Sequence, residues 1–272
     1  MTSVCLLGGT GYVGKYLEEG LKERGFRVTV VSRSTQWSYK DFLEDSTNSY
    51  DVYVHLIGNS SDNFFNNADA YIVNHQSLSE SLNRFEDDKQ SKKFIFFSTL
   101  YTQIDLLGQA TYLSPYIQSK KVAEKIIADF SIGSSKSFSI VRPAVVFNEP
   151  RGLLGILVKL WNNGLSLKIG GDVGVPLVRL DQILNSMEEY ILSVQMGLEE
   201  KNLIGFAEDF LSTHEKPETL GFSQKKPKIK ITIPFWVLKM LAALGHSLKL
   251  PFNKYFLYKL KSHYNLMQLK DE

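Results

Sequence analysis

The sequence predicts an α/β protein: a doubly wound parallel sheet followed by a smaller, mainly helical C-terminal domain. Three observations carry this. Short apolar or β-branched runs alternate with helix-like stretches as far as Asn148. A glycine-rich turn, Gly8 to Gly14, joins the first run to the first helix. Beyond Asn148 the alternation loosens into turns, a glycine-rich loop and an aromatic-rich end.

Taken in order, Val4 to Leu7 is the first strand, Lys15 to Arg24 the helix after the glycine turn, and Gly25 its stop. Arg27 to Val31 is a β-branched second strand, and Asp51 to Ile57, ending at Gly58, a further one. Strand, turn, helix, strand makes a parallel pair. Tyr71 to Phe85 is then helical, Lys93 to Ser98 a strand, Tyr116 to Phe130 a helix, and Phe138 to Val146 a strand punctuated by Pro143. Such a sheet binds its ligand beyond the carboxyl ends of its strands. Afterwards Glu149 to Gly152 is a turn, Leu153 to Trp161 a helix, and Asn162 to Pro176 a loop. Asp181 to Gln195 is helical and Asn202 to Phe206 a last strand. Phe235 to Leu244 reads as a packing helix, too short to span a bilayer.

Composition narrows the class. The chain has 272 residues, 43% hydrophobic and 22% charged, enough for one sizeable core or two unequal domains. The lone Cys5 permits neither an internal disulfide nor a cysteine-based zinc site. With no long apolar run and no secretory leader, the expected location is the cytoplasm. Net charge is only +2, yet Gln224 to Glu272 holds ten lysines against two acids. That end suits an anionic ligand, an acidic lipid surface or plain solvation. Lys225, Lys226, Lys228 and Lys230 sit in a Pro-containing connector and need no partner.

Gly8, Gly11 and Gly14 follow a strand and precede a helix, the context a phosphate-binding turn requires. The three supply a tight turn, close backbone approach to a pyrophosphate, and close helix packing. Thr10, Tyr12 and Val13 complete the loop, and the helix start offers N–H groups and a positive dipole end to the phosphate. A dinucleotide is the implied ligand. An acid at the end of the second strand would bond the adenosine ribose, whereas an arginine suits a 2′-phosphate. Here the strand ends in Ser32 and Arg33 without an acid. NADP(H) is therefore favoured over NAD(H).

Tyr116 and Lys120 are four residues apart at a helix start, hence on one face. A phenol with a pKa near 10 exchanges protons poorly at neutral pH, and a neighbouring ammonium lowers it. Tyr116 then serves as general acid or base. The pair lies one strand after Ser98-Thr99 and downstream of the glycine turn.

With these pieces in order, the chain resembles an extended short-chain dehydrogenase/reductase, the group of nucleotide-sugar epimerases, dehydratases and reductases built on a Rossmann fold. The matching segments are Gly8 to Gly14, Asp51 to Gly58 (DVYVHLIG), Val73-Asn74, Phe96 to Thr99, Tyr116 with Lys120, Ala123-Glu124, Arg142-Pro143 and Leu180-Asp181. The resemblance covers residues 4 to about 185. Three departures stand out. The stretch from Arg33 to Asp51 is too short for the usual extra strand, the segment after Thr99 lacks the usual V-Y-G, and Asn148 replaces a common glycine.

The resemblance implies roles. Tyr116 exchanges the proton at the substrate oxygen, Lys120 holds the nicotinamide ribose, and Thr99 bonds the substrate carbonyl or hydroxyl. Leu56, Ile57, Gly58 and Asn74 line the cofactor, and Pro143 sits beside the nicotinamide carboxamide. The dinucleotide domain spans 1–148 with 177–208 returning to it, leaving 149–176 and 209–272 for substrate. The implied activity is NADPH-dependent reduction of a 4-keto nucleotide sugar, in polysaccharide biosynthesis. The alternatives are an NAD-dependent nucleotide-sugar 4-epimerase, a non-catalytic NADP-binding regulatory protein, and a reductase of non-sugar ketones. Family members often pair through helices like Tyr71 to Phe85 and Tyr116 to Phe130, which makes a homodimer possible.

Other residues read as structural. His55 lies within an apolar strand, and His75, His214, His246 and His263 lack metal-like spacing. No metal site and no nucleic-acid motif is expected.

Overall fold

A computed structural model describes residues 1–33, 38–45, 47–58, 68–102, 115–147, 158–169, 175–196, 209–211, 227–233, 236–237 and 240. The central feature is a five-stranded, all-parallel sheet in the order β2-β1-β3-β4-β5. Its strands are β1 (Ser3–Leu7), β2 (Arg27–Val31), β3 (Val52–His55), β4 (Lys93–Phe97) and β5 (Ser137–Val141). The connecting helices are α1 (Tyr12–Glu23), α2 (Tyr39–Glu44), α3 (Ala68–Asp87) and α4 (Pro115–Ser131), and α5 (Leu180–Met196) follows later.

Strands covered on both faces must be apolar throughout. All five residues of β1 and all of β4 are buried. Cys5, Leu7, Tyr53, Phe94 and Phe96 join Leu78, Leu82 and Phe85 of α3 and Ala123 and Ile127 of α4 in one cluster. Phe85 meets Tyr53, Phe94 and Phe138 edge-on, at 5.4–5.5 Å between centroids, the preferred aromatic geometry. Each such side chain contributes roughly 1.5–3 kcal/mol through burial. The alternate residues Val4, Leu6, Val52, Val54 and Ile95 are equally buried. Leu17 and Leu21 of α1 and Ile183, Met187 and Ile191 of α5 are buried too.

The chain divides into two compact units. One comprises Met1–Thr102, Pro115–Pro143 and Leu180–Phe206, the other Gln103–Ser114, Ala144–Arg179 and Ala207–Glu272. Among the described residues, the second unit holds β6 (Val145–Phe147), β8 (Val175–Arg179) and β9 (Asp209–Leu211) in one sheet, and β7 (Leu165–Ile169) with β10 (Ile229–Ile233) in another.

Several boundaries differ from the sequence reading. α1 begins at Tyr12 rather than Lys15, so half of the glycine turn is already helix. The run from Phe138 to Val146 divides around Pro143, whose missing N–H breaks a ladder; β5 joins the large sheet and β6 the second unit. Part of the expected loop Asn162 to Pro176 is strand, because Leu165, Leu167 and Ile169 alternate with polar neighbours and pair with β10. Lys230, expected in a connector, lies within β10. Between β2 and β3 stands the short helix α2 instead of an extra strand. Ser38 caps it through the Asp41 N–H while the Asp41 carboxylate accepts from the Ser38 N–H, a capping box. The expected strand Asn202 to Phe206, the helix Phe235 to Leu244 beyond 236–237 and 240, and most of Leu153 to Trp161 lie outside the described residues.

Candidate active site

The glycine turn leaves β1 at the carboxyl edge of the sheet. Gly8 has φ +85°, in the left-handed region that side chains disfavour. Its N–H donates to the Val31 carbonyl at 2.7 Å, and the Leu56 N–H donates to the Leu7 carbonyl at 2.8 Å. The ends of β1, β2 and β3 are thereby fastened together. A Cβ on Gly14 would stand 2.5 Å from the Gly9 backbone, so the third glycine of the spacing packs the helix on the turn itself. Gly9, which the spacing alone does not single out, is equally confined: its Cβ would meet the Val30 side chain at 2.8 Å. Gly11 is different. It is the N-cap of α1, without a side-chain cap and with no acid in the first turn, and among the described residues its Cβ would touch only the Gly8 carbonyl at 3.5 Å. The helix start is a positive dipole end.

The other residues expected to bind the cofactor differ in exposure. Ser32 is buried and Arg33 exposed at the end of β2. Thr10 and Val13 are half-buried, Tyr12 is exposed, Leu56 and Ile57 are half-buried, and Gly58 is exposed. Asn74 and Pro143 are buried.

Tyr116 and Lys120 project from the first two turns of α4. Tyr116 is half-buried and Lys120 buried. The Lys120 Nζ donates to the Phe97 carbonyl, the last of β4, at 2.7 Å, and stands 4.6 Å from the Phe96 ring centroid. A Cβ on Gly58 would lie 3.2 Å from that Nζ and 3.9 Å from the Asn74 amide oxygen. Lys120, Gly58 and Asn74 therefore meet at one point. Burial pulls the Lys120 ammonium down to about 8, against the opposing pull of Glu124.

Asn74 reaches α4 as well. Its amide donates to Ser119 Oγ at 3.2 Å, and Ser119 Oγ donates to the Tyr116 carbonyl at 2.8 Å. The His75 ring lies 3.1 Å from the Ser119 carbonyl. Thr99 is buried just past β4, between Ser98, whose N–H donates to the Val141 carbonyl at 2.7 Å, and Leu100, whose N–H donates to the Pro143 carbonyl at 2.9 Å. His55 is fully buried, its ring 6.1 and 5.7 Å from those of Phe94 and Phe96. No group of three His, Cys, Asp or Glu among the described residues could hold a metal ion. No helix among them is long and apolar enough to cross a membrane.

The sequence reading assigned no role to Glu124, Arg142, Ser98 or Ser119. Glu124 follows Lys120 by one helical turn, a signal that spacing offers. Its contacts depend on strands distant in sequence.

The family model described as "Epimerase: NAD dependent epimerase/dehydratase family" matches residues 4–154, more than half of the chain. The chain belongs to this family. No curated protein sequence matches it significantly. Among solved structures, the epimerase/dehydratase chain is similar to UDP-N-acetylglucosamine 4-epimerase from Bacillus cereus, with TM-score 0.65 and 15% identity over 86% of this chain and 88% of that one. It is similar to human epimerase family protein SDR39U1, solved with NADPH, with TM-score 0.61 and 16% identity over 88% and 85%. It is also similar to TunA, an NAD-dependent NDP-hexosamine 5,6-dehydratase of tunicamycin biosynthesis, with TM-score 0.60 and 18% identity over 89% and 90%. At these identities the likeness is one of fold.

Proposed function

We propose that this epimerase/dehydratase-family chain is an NADPH-dependent reductase of a 4-keto sugar carried on a nucleoside diphosphate. The observation that carries the reading is the buried ammonium of Lys120, held at the carboxyl end of β4 beside Gly58 and one helical turn from Tyr116. A desolvated cation there favours phenolate over phenol, the condition for proton transfer by Tyr116 near neutral pH.

The cradle fits a dinucleotide. The uncapped, acid-free start of α1 and the open side of Gly11 suit a diphosphate. Arg33, with Ser32 and no acid beside it, suits a 2′-phosphate. Ile57, Gly58 and Pro143 line the approach to the nicotinamide. When bound, the cofactor supplies the hydride. Tyr116 gives its proton to the substrate oxygen, Lys120 holds the nicotinamide ribose and stabilises the phenolate left behind, and Thr99 donates to the same oxygen. Asn74 keeps this turn of α4 in place through Ser119. Residues 149–176 and 209–272 receive the sugar nucleotide, and a homodimer through α3 and α4 belongs to the same proposal.

A second reading is an NAD-dependent nucleotide-sugar 4-epimerase, the activity named for the Bacillus cereus protein of similar fold. An epimerase returns its hydride and consumes no external NADPH. Stoichiometric NADPH oxidation with a 4-keto nucleotide sugar is expected of the reductase, and Tyr116→Phe is expected to lower kcat at least about 100-fold while NADPH still binds. NADPH binding without consumption across such substrates would point to a regulatory protein. Unchanged turnover in Tyr116→Phe would refute the proton-transfer assignment.

A further inference from the structure

Three donor side chains, from the segments just past β4 and just past β5, converge on one carboxylate of α4. Glu124 Oε1 accepts from Ser98 Oγ just past β4, from Thr102 Oγ1 at 2.9 Å and from Arg142 Nε just past β5 at 2.9 Å. Oε2 accepts from Arg142 Nη2 at 2.8 Å. The ion pair is bidentate and nearly closed to water, its side chains 13% and 14% exposed. A buried ion pair is a poor source of net stability, because desolvation offsets the attraction, whereas its geometry is sharply directional.

The converging donors bracket Thr99. Ser98 precedes it, and Thr102 follows, its hydroxyl also 2.9 Å from the Thr99 carbonyl so that one proton serves either acceptor. Arg142 comes immediately before Pro143, whose carbonyl holds the Leu100 N–H. On α4, Tyr116, Lys120 and Glu124 follow at four-residue intervals along one stripe. We propose that Glu124 is a positioning residue: its carboxylate ties the strand end that carries Thr99 to the helix that carries Tyr116 and Lys120. The inference deepens the reductase reading and rests on it for the identity of the reacting groups.

A second effect follows from the same placement. Glu124 is the acid that opposes the desolvation of Lys120. Among the described residues, the other groups around that ammonium are His55 of β3, kept neutral by burial and by Lys120 itself, the Phe96 ring and Phe97 carbonyl of β4, and the Asn74 amide of α3. Tyr116 shares its helix, and Arg142 pairs with Glu124 rather than with the ammonium.

Glu124→Gln keeps the size and one acceptor oxygen but turns an amide NH2 toward Arg142. Because an unpaired Arg142 could unfold the chain, Glu124→Leu with Arg142→Met is made alongside, replacing both charges at similar volume. Three quantities are measured on the folded full-length chain: the NADPH Kd, kcat with a 4-keto nucleotide sugar that the unaltered chain reduces, and the Lys120 titration midpoint. The midpoint comes from NMR of 13Cε-labelled lysine, assigned with Lys120→Arg. Both variants are expected to hold the NADPH Kd within about twofold and to lose roughly 10- to 100-fold in kcat, the scale of a small misplacement. Their Lys120 midpoint is expected below about 8. A purely structural role would lower only the folded fraction. An unmoved midpoint, turnover per folded molecule equal to the unaltered chain, or a Kd that weakens in step with kcat overturns the inference. Should no 4-keto sugar be reduced, the substrate reading fails, and the lysine titration alone still decides the role of Glu124.

Discussion

Lys120 donates from Nζ to the main-chain carbonyl of Phe97 at 2.7 Å, a contact between the second turn of a helix and the last residue of a strand. It places a cation at the carboxyl end of β4, the edge where the glycine turn leaves β1 and where open α/β sheets bind ligands. The contact also explains the exposed Gly58 at the end of the neighbouring strand. A Cβ there would stand 3.2 Å from the ammonium, tighter than a side chain comfortably packs.

Two glycines of the turn after β1 are expected to respond differently. Gly14→Ala drives a methyl to 2.5 Å from fixed backbone and should destabilise the fold by about 2–4 kcal/mol, as other overpacked sites do. Gly11→Ala meets nothing closer than 3.5 Å among the described residues and should change Tm little, while its methyl obstructs the diphosphate and weakens NADPH binding at least about tenfold. Thermal unfolding with and without NADPH measures both.

Arg33 is expected to set cofactor choice. Arg33→Ala should weaken NADPH by roughly 10-fold or more, the size of a charge-assisted phosphate contact, and leave NADH within about twofold. Parallel fluorescence titrations decide it; equal losses for both cofactors would remove Arg33 from the 2′-phosphate site.

His55 should shape the acid limb of stability. Burial first, then the Lys120 charge, lowers its pKa to about 3 from the ordinary 6.5. The unfolded chain therefore binds the proton more readily, so this stability is complete above about pH 6.5 and is lost as pH falls toward about 3. The full effect is on the order of a few kcal/mol. The ring is fully buried among Phe94 and Phe96, so His55→Phe should keep stability near neutral pH and flatten its decline between pH 6 and about 4. Urea unfolding across that range measures the slope.

Gly20 and Leu184 should couple. A Cβ on Gly20 would lie 2.2 Å from the Leu184 Cδ2, where α1 meets α5. Gly20→Ala alone should cost about 1–3 kcal/mol by overpacking. Adding Leu184→Ala opens the space, and the double variant should be more stable than the two losses added, by about 1 kcal/mol. Strict additivity in denaturant unfolding would contradict the packing of these two helices.

Much of the large sheet was legible in local pattern. The runs around Cys5, Val28, Val54 and Ile95 are short and apolar because parallel strands are covered on both faces, and Gly25, at φ +85°, ends its helix as expected. The α2 helix went unread although Ser38 and Asp41 stand at capping-box spacing, and β7 went unread because its glycine-rich surroundings masked the alternation of Leu165, Leu167 and Ile169. Of the site, the residues on single elements were visible: the glycines by spacing, Tyr116 and Lys120 by a helical turn. Glu124 was not, since its partners Ser98, Thr102 and Arg142 reach it only after β4, β5 and α4 have packed.

The amino-acid order by itself determined the layers, the glycine turn and the tyrosine-lysine stripe, because each depends on neighbours a few residues away and on the period of one element. Only the tertiary structure decided that Lys120 is desolvated against Phe97, that Gly9 and Gly20 are confined by their surroundings, and that Glu124 gathers donors from distant parts of the chain. Burial and contact across the sheet are properties of packed elements, and side chains 18 to 26 residues apart in sequence, as Glu124 is from Arg142 and Ser98, have no local signal of meeting.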